Sequence, residues 1–194
     1  MESQDFDWLV NETMSISCPG DSHAHDSQAM GCRGYFDNLV HQTSGSKFVH
    51  DTEIVDFLGY DKAKRNVLAA LKSGKLLNMY FGHANTVHLT LNQSFINTQD
   101  WLSMDNKNLG FSFFAGCDLS HTDQTVQGIG ELCVTRSPRA FVGSIMATRT
   151  VWSNYNYDLA MAFVRGLFYN KDGVRDESAT IGEAFAYGKS QTSK

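Results

Sequence analysis

Two residues of the sequence, Cys117 and His83, have the chemistry needed for nucleophilic catalysis. Each follows a short apolar run and has small neighbours: Gly82 and Ala84 flank the histidine, and Gly116 precedes the cysteine. A thiolate is a strong nucleophile when it is accessible, and a nearby imidazole can protonate the amine that leaves a cleaved amide. Small neighbours also let a substrate approach backbone N–H groups that stabilise an oxyanion. The pattern indicates an acyl-transfer site.

The same two residues also allow an interpretation without catalysis. A free cysteine is among the most buried residue types and usually packs as a small hydrophobic side chain. A histidine and a cysteine at the ends of two strands can also arise by accident. On the residues alone, Cys117 is therefore either a nucleophile or a packed thiol.

The apolar runs before these residues predict buried β-strands. Residues 75–81 and 109–117 are short, rich in aromatic or aliphatic side chains and bounded by turn signals, and residues 140–147 form a third such run. A helix predicted over residues 62–73 stops at Gly74 and leads directly into the first strand. This succession is typical of a parallel sheet, and open sheets of this kind place catalytic groups at the carboxyl ends of their strands.

The remaining pattern completes an α/β domain of three layers, with a mostly parallel central sheet and helices on both faces. We expect a single domain over residues 1–194, in which residues 1–46 are the hardest to assign. One further strand, with a ragged lead-in, is predicted over residues 7–18 and another at 47–51. The other predicted helices lie at 26–41, 125–133, 158–170 and 180–188.

Composition excludes several classes of partner. The chain has 194 residues, 42% of them hydrophobic, and a net charge of −5 with no cluster of Lys and Arg. This balance argues against nucleic acid or an anionic membrane as the main partner. No run approaches the ~20 apolar residues of a membrane span, and the acidic amino terminus does not resemble a secretory signal. The four cysteines form no CxxC pair, so they leave the compartment open.

A polar loop near the amino terminus contains two histidines between two acids. His23 and His25 lie between Asp21 and Asp26, close to Cys18. Histidines at i and i+2 are one arrangement of metal ligands, but a third and a fourth ligand would have to come from elsewhere. A solvated loop is the other interpretation, and we expect no metal site.

Two segments resemble the catalytic motifs of the gingipain-type cysteine peptidases, namely residues 78–85 (NMYFGHAN) and 113–118 (FFAGCD). This family has a caspase-like fold and includes the gingipains and the sortase of the type IX secretion system. The similarity extends over residues 47–190. It includes the segments Gly130-Glu131, 140–147, 148–152 and 181–189.

The resemblance implies a role for each matching position. Cys117 would be the nucleophile and His83 the general acid and base that protonates the departing amine. The backbone N–H groups of Ala84 and Cys117 would form the oxyanion hole. Trp152 would form an aromatic wall over the primary specificity pocket, with Ala115 lining it. The expected activity is that of a cysteine endopeptidase acting on polypeptides through a thioester acyl-enzyme, with no cofactor required for the chemistry.

The resemblance also suggests cleavage after basic residues, because gingipains are specific for Arg or Lys. Asp21 and Asp26 are the candidate acids for the pocket floor, and a pocket for small or apolar residues is the alternative. Two positions depart from the family pattern: Ala84 replaces the usual Gly after the histidine, and Cys18 replaces an acid before Pro-Gly. By resemblance we expect a neighbouring subdomain outside this chain and a secreted or cell-surface bacterial protein. The sequence leaves open whether structural calcium supports the loops, as it does in some relatives.

Two other functions fit the same motifs. One is a caspase-like domain for binding or scaffolding, in which the Cys–His dyad is present but unused. The other is a transpeptidase of the sortase type, in which an amine and not water resolves the acyl-enzyme. The sequence does not separate hydrolysis from transfer.

Overall fold

The computed structural model of the protein describes residues 14–18, 50–54, 60–90, 95–106, 108–135, 140–176 and 178–192. Its strands are β1 (Met14–Cys18), β2 (His50–Ile54), β3 (Leu77–Phe81), β4 (His88–Leu89), β5 (Ile96–Asn97), β6 (Gly110–Ala115) and β7 (Phe141–Met146). Its helices are α1 (Tyr60–Ser73), α2 (Thr98–Leu102), α3 (Ile129–Thr135), α4 (Ser153–Phe168) and α5 (Ile181–Thr192).

Five of the strands form one parallel sheet in the order β2–β1–β3–β6–β7, and β4 pairs with β5 in a small antiparallel ladder. Every residue of β3 is buried, as expected for an inner strand covered on both faces. This burial explains why the strand reads as a continuous apolar run and not as an alternating one. The predicted α/β class is confirmed.

Two apolar clusters cover the two faces of the sheet. Tyr80 and Phe114 face helices α1, α2 and α3, where Trp101 is fully buried and makes tilted ring contacts with Phe114 and Phe141. The other face packs against α4 and α5 through a second set of side chains. Its buried members are Leu77, Met79, Phe81, Phe113, Ala115, Ala160, Phe163, Val164, Phe168 and Ala184.

The helix starts that differ most from the sequence prediction are those of α3 and α4. Helix α3 begins at Ile129 and not at residue 125. Its first N–H groups bond outside the helix: Ile129 N–H donates to Thr86 O (2.9 Å) and Gly130 N–H to Leu119 O (2.8 Å). Helix α4 begins at Ser153, five residues earlier than predicted. Its N-cap residue is Trp152, which makes no side-chain hydrogen bond to the helix. A cap of that type gives no sequence signal.

The end of α5 also lies beyond its predicted stop. The capping box at its start is present, since Glu183 N–H donates to Thr180 Oγ1 (3.2 Å) and Thr180 N–H to Glu183 Oε2 (2.9 Å). Gly188, however, lies within the helix, where a Cβ would come 3.2 Å from the backbone N of Phe163. This glycine permits close packing of α5 on α4. The helix predicted over residues 26–41 lies outside the described residues, and β2 lies three residues later than predicted.

Candidate active site

Strands β3 and β6 bring His83 and Cys117 to one edge of the sheet. The strands are parallel neighbours with Phe81 opposite Ala115, and Gly82 N–H donates to Ala115 O at 3.3 Å. His83 and Cys117 each lie two residues beyond this paired position. The segments stay in contact past the strands, because a Cβ built on Gly116 would lie 2.6 Å from the Cβ of Ala84. Both residues therefore follow the carboxyl ends of adjacent strands, at one edge of the sheet.

Cys117 is partly exposed and contacts the loop after β7. Its Sγ donates to the carbonyl oxygen of Val151 at 3.6 Å. The next residue, Asp118, has a φ of 55° and donates its N–H to Arg149 O at 3.3 Å. A non-glycine residue in this region is uncommon and often marks a functional turn. The left-handed residue turns the chain sharply after the thiol and ties it to the neighbouring loop.

The two residues proposed from the resemblance to line the specificity pocket differ strongly in exposure. Trp152 follows Val151 and is 75% exposed, so its ring is available to a ligand beside the thiol. Ala115 is 6% exposed and belongs to the apolar core under α4. Asp21 and Asp26 lie outside the described residues, as do His23 and His25.

His83 lies at the start of a short hairpin formed by residues 83–90, called the histidine hairpin below. Thr90 N–H donates to His83 O at 2.7 Å, Ala84 forms an antiparallel bridge with Leu89, and Tyr80 Oη donates to His83 O at 2.5 Å. Ala84 has a negative φ, so the alanine in place of the family's usual glycine is accommodated without backbone strain. The hairpin fixes the backbone on both sides of the imidazole.

Sequence reasoning missed two residues of the histidine hairpin. Asn85 Oδ1 accepts hydrogen bonds from Val87 N–H (2.9 Å) and His88 N–H (3.0 Å), and its Nδ2 contacts His88 Nε2 at 2.8 Å. His88 Nδ1 lies 2.5 Å from Thr90 O. An Asn that accepts from the backbone two and three residues on is the ordinary Asx-turn pattern, so Asn85 was recognisable from the sequence. His88 gave no such signal.

A charged network ties the loop after β6 to the loop after β7. Arg149 Nη2 lies 2.6 Å from Asp123 Oδ2, and His121 Nε2 lies 2.9 Å from Asp123 Oδ1. Burial alone would raise the pKa of Asp123, but the hydrogen bond and positive charge of Arg149 and the nearby His121 lower it overall. Gln124 extends the network to the histidine hairpin through Thr86 Oγ1 (3.2 Å). His121 also connects the network to the residue after the thiol, since its Nδ1 lies 3.7 Å from Asp118 Oδ1.

The two cysteines whose side chains are described differ in environment. Cys133 is fully buried in α3, and this burial raises the pKa of its thiol to about 12. Cys117 is partly exposed at the sheet edge. A thiol that stays protonated and inaccessible is a poor nucleophile, so the environment favours Cys117 over Cys133 as the reactive group. Cys18 ends β1, beside β3.

Within the described part of the chain, no three His, Cys, Asp or Glu side chains group as a metal site. No helix described by the structure is long and apolar enough to cross a membrane. The prediction of no nucleic-acid partner stays a prediction, and the sequence made none on structural calcium.

Comparison with known proteins gives the family. The model of peptidase family C25 matches residues 11–194. The chain belongs to peptidase family C25. This confirms the gingipain-type resemblance drawn from residues 78–85 and 113–118, and the family is one of cysteine peptidases.

Solved structures show the fold of this C25 protein in related chains. The Arg-specific cysteine proteinase gingipain R (RgpB) superimposes with a TM-score of 0.71 at 15% identity, over 97% of this chain and 43% of that one. A complex of the pro- and mature domains of RgpB from Porphyromonas gingivalis gives a TM-score of 0.62 at 16% identity, over 84% of this chain and 38% of that one. The chain thus spans less than half the length of these structures. No curated protein matches the sequence.

Proposed function

We propose that this C25 protein is a cysteine endopeptidase in which Cys117 is the nucleophile and His83 the general acid and base. The observation that carries the proposal is the register of β3 and β6, in which both residues follow the Phe81–Ala115 pair by two positions. The contact between Ala84 and Gly116 supports it, since the two segments remain adjacent beyond the strands.

The proposed reaction has two stages. The Cys117 thiol gives its proton to His83, and the resulting thiolate attacks the carbonyl carbon of the scissile peptide bond. The tetrahedral oxyanion accepts hydrogen bonds from the N–H groups of Ala84 and Cys117. The carbon–nitrogen bond then breaks as His83 gives a proton to the leaving amine, and a thioester remains. Water, with its proton taken by His83, attacks the thioester and releases the carboxylic acid and the thiol.

The thiol has a partner of its own before substrate arrives. Its hydrogen bond to Val151 O anchors the nucleophile to the loop that presents Trp152. A substrate side chain lying on Trp152 would therefore bring its carbonyl close to Cys117 Sγ. We propose that this side chain is basic, because the exposed indole offers a flat apolar face to an aliphatic stem and a cation–π contact to a charged head. Asp21 and Asp26 remain the candidate acids for the pocket floor.

A panel of fluorogenic peptides that differ only at P1 tests the proposal with wild type, Cys117→Ala and His83→Ala. We expect cleavage after Arg or Lys by wild type and loss of cleavage in both variants. Cys133→Ala is the matched control, since it removes a buried thiol and should retain activity. Full activity in Cys117→Ala would contradict the peptidase assignment, and equal turnover with Ala or Leu at P1 would contradict basic specificity alone.

Two further readouts separate the other functions that fit the motifs. A peptidyl electrophile that leaves Cys117 unmodified would favour a binding or scaffolding domain over an enzyme. Mass spectrometry of products made with an added amine acceptor distinguishes hydrolysis from transfer, because a transpeptidase would join the acyl fragment to that amine.

A further inference from the structure

The backbone of Thr90 has a strained conformation at a position with no free space. Thr90 has a φ of 68° and is fully buried. Positive φ is a genuine outlier for a β-branched residue and persists only where the surrounding structure holds it. Neighbouring groups must therefore hold Thr90 in this conformation.

Thr90 connects His88 to His83 through its own peptide groups. The carbonyl of Thr90 lies 2.5 Å from Nδ1 of His88, and its N–H donates to the carbonyl of His83 at 2.7 Å. The left-handed conformation lets one residue make both contacts. The imidazole of His88 is thus two hydrogen bonds away from the backbone of the proposed catalytic histidine.

The surroundings of His88 determine where its proton sits. A carbonyl oxygen only accepts hydrogen bonds, so Nδ1 carries a proton and donates it to Thr90 O. Asn85 Oδ1 already accepts from two backbone N–H groups, which orients the amide and makes its Nδ2 a donor to His88 Nε2. Both ring nitrogens of His88 are therefore satisfied in the neutral Nδ1–H tautomer.

We infer that His88 is a positioning residue: its Nδ1–H holds Thr90 in the left-handed conformation, and Thr90 in turn fixes the backbone of His83. The inference rests on the proposed function, in which His83 transfers protons. It separates the roles of the two histidines of the histidine hairpin, since His88 acts only through Thr90.

Three variants of His88 test which ring nitrogen matters. An Asn side chain places an amide N–H where Nδ1–H stands, whereas Gln places one near Nε2. We expect His88→Ala and His88→Gln to lower kcat by about 10- to 100-fold with KM little changed, as for a small displacement of a catalytic group. His88→Asn should stay within about threefold of wild type. Equal loss in His88→Asn and His88→Gln would overturn the inference.

Thr90→Gly should rescue the kcat lost in His88→Ala, which would not happen if His88 only packed against its neighbours. Glycine adopts positive φ without strain. Thr90→Gly alone should retain most activity, and His88→Ala with Thr90→Gly should recover most of the kcat lost in His88→Ala. Additive losses in the double variant would overturn the inference. Asn106→Ala is the control, since it also removes a side chain that bonds a backbone carbonyl (Ala140 O, 3.0 Å), at the opposite end of β7.

Hydrogen exchange does not depend on catalytic activity, so it tests the role of His88 separately from the proposed function. Hydrogen exchange of the Thr90 amide, which bonds His83 O, should accelerate in His88→Gln and stay as in wild type in His88→Asn. If Cys117→Ala or His83→Ala retains cleavage, the proposed function fails. The exchange of the Thr90 amide still tests whether His88 holds Thr90. If both are inactive but His88→Gln shows wild-type exchange and kcat, only the inference on His88 fails.

Discussion

The methyl group of Ala84 occupies the space that a side chain on Gly116 would need. A Cβ on Gly116 would lie 2.6 Å from the Cβ of Ala84 and 3.2 Å from Gly82 O. The residue after the proposed catalytic histidine and the residue before the proposed nucleophile are therefore matched in size. This explains how the chain tolerates alanine where gingipain-type peptidases usually have glycine.

Gly116→Ala is expected to destabilise the protein, because the new methyl group overpacks this contact at a cost of about 1–3 kcal/mol. Ala84→Gly in the same chain removes the methyl that it meets, so the double variant should be more stable than Gly116→Ala by about 1 kcal/mol. Urea unfolding of the four proteins measures the coupling. Recovery will be partial, since Gly82 O remains close. Strictly additive free energies would show that the two residues do not compete for space.

Alkylation should distinguish the cysteines by environment. The thiol of Cys133, with its pKa raised to about 12, stays protonated at pH 8 and carries about one part in 10⁴ of thiolate. Because Cys133 is also fully buried, we expect its alkylation to be much slower than that of the partly exposed Cys117. Peptide mapping after timed iodoacetamide treatment measures both rates, and Cys133→Ser should leave the fast phase unchanged. Faster labelling at Cys133 than at Cys117 would contradict the assignment.

The sequence predicted which strands end at the candidate site, but it did not predict the side-chain contacts there. The runs at residues 75–81 and 109–117 predicted β3 and β6 because buried parallel strands are continuously apolar, and parallel neighbours end at the same edge of the sheet, where His83 and Cys117 follow. Side-chain partners at the site depend on loop geometry, which apolar periodicity does not encode. The bond of Cys117 to Val151 and the left-handed Thr90 therefore became visible only in the structure.

Misjudged helix ends have the same origin. The segment before Asp158 is polar and aromatic with no capping side chain, so it read as a loop although α4 begins at Ser153. Gly188 read as a helix stop, whereas it serves the close packing of α5 against α4. Tertiary contacts decided both positions, and a single sequence carries no record of them.

The ion pair between Arg149 and Asp123 is expected to affect kcat/KM and not the folding stability. Both side chains are more than half exposed. An exposed pair contributes little to folding, but this one joins the loops that carry Cys117 and Trp152. We expect Asp123→Asn and Arg149→Gln each to lower kcat/KM by about twofold to fivefold, and the double variant to lose no more than either. Lys64→Met is the control, since it breaks a 2.7 Å pair with Asp100 between α1 and α2.

The ion pair between Arg149 and Asp123 is expected to be lost at low pH. Arg149 and His121 lower the pKa of Asp123 below its ordinary 3.8, so the charged pair is complete above that value and is lost as the pH falls through the lowered one. Carboxyl-carbon NMR of Asp123 should give a midpoint below 3.8 in wild type. Arg149→Gln should move the midpoint upward toward the ordinary value. An unchanged midpoint would show that Arg149 does not act on this carboxylate.

Trp152 is expected to contribute to substrate binding without contributing to folding. Trp152 is 75% exposed, so Trp152→Ala should leave the thermal midpoint nearly unchanged, as surface substitutions usually do. A cation–π contact and an apolar face over an arginine stem are together worth enough to lower kcat/KM for an Arg substrate by about tenfold. A Leu substrate, which keeps only the apolar contact, should lose less. Val142→Ala removes another exposed side chain, 64% exposed on the edge strand β7, and should change neither value. Equal losses for Arg and Leu would show that the indole does not recognise charge at P1, and no loss for either would remove Trp152 from the pocket.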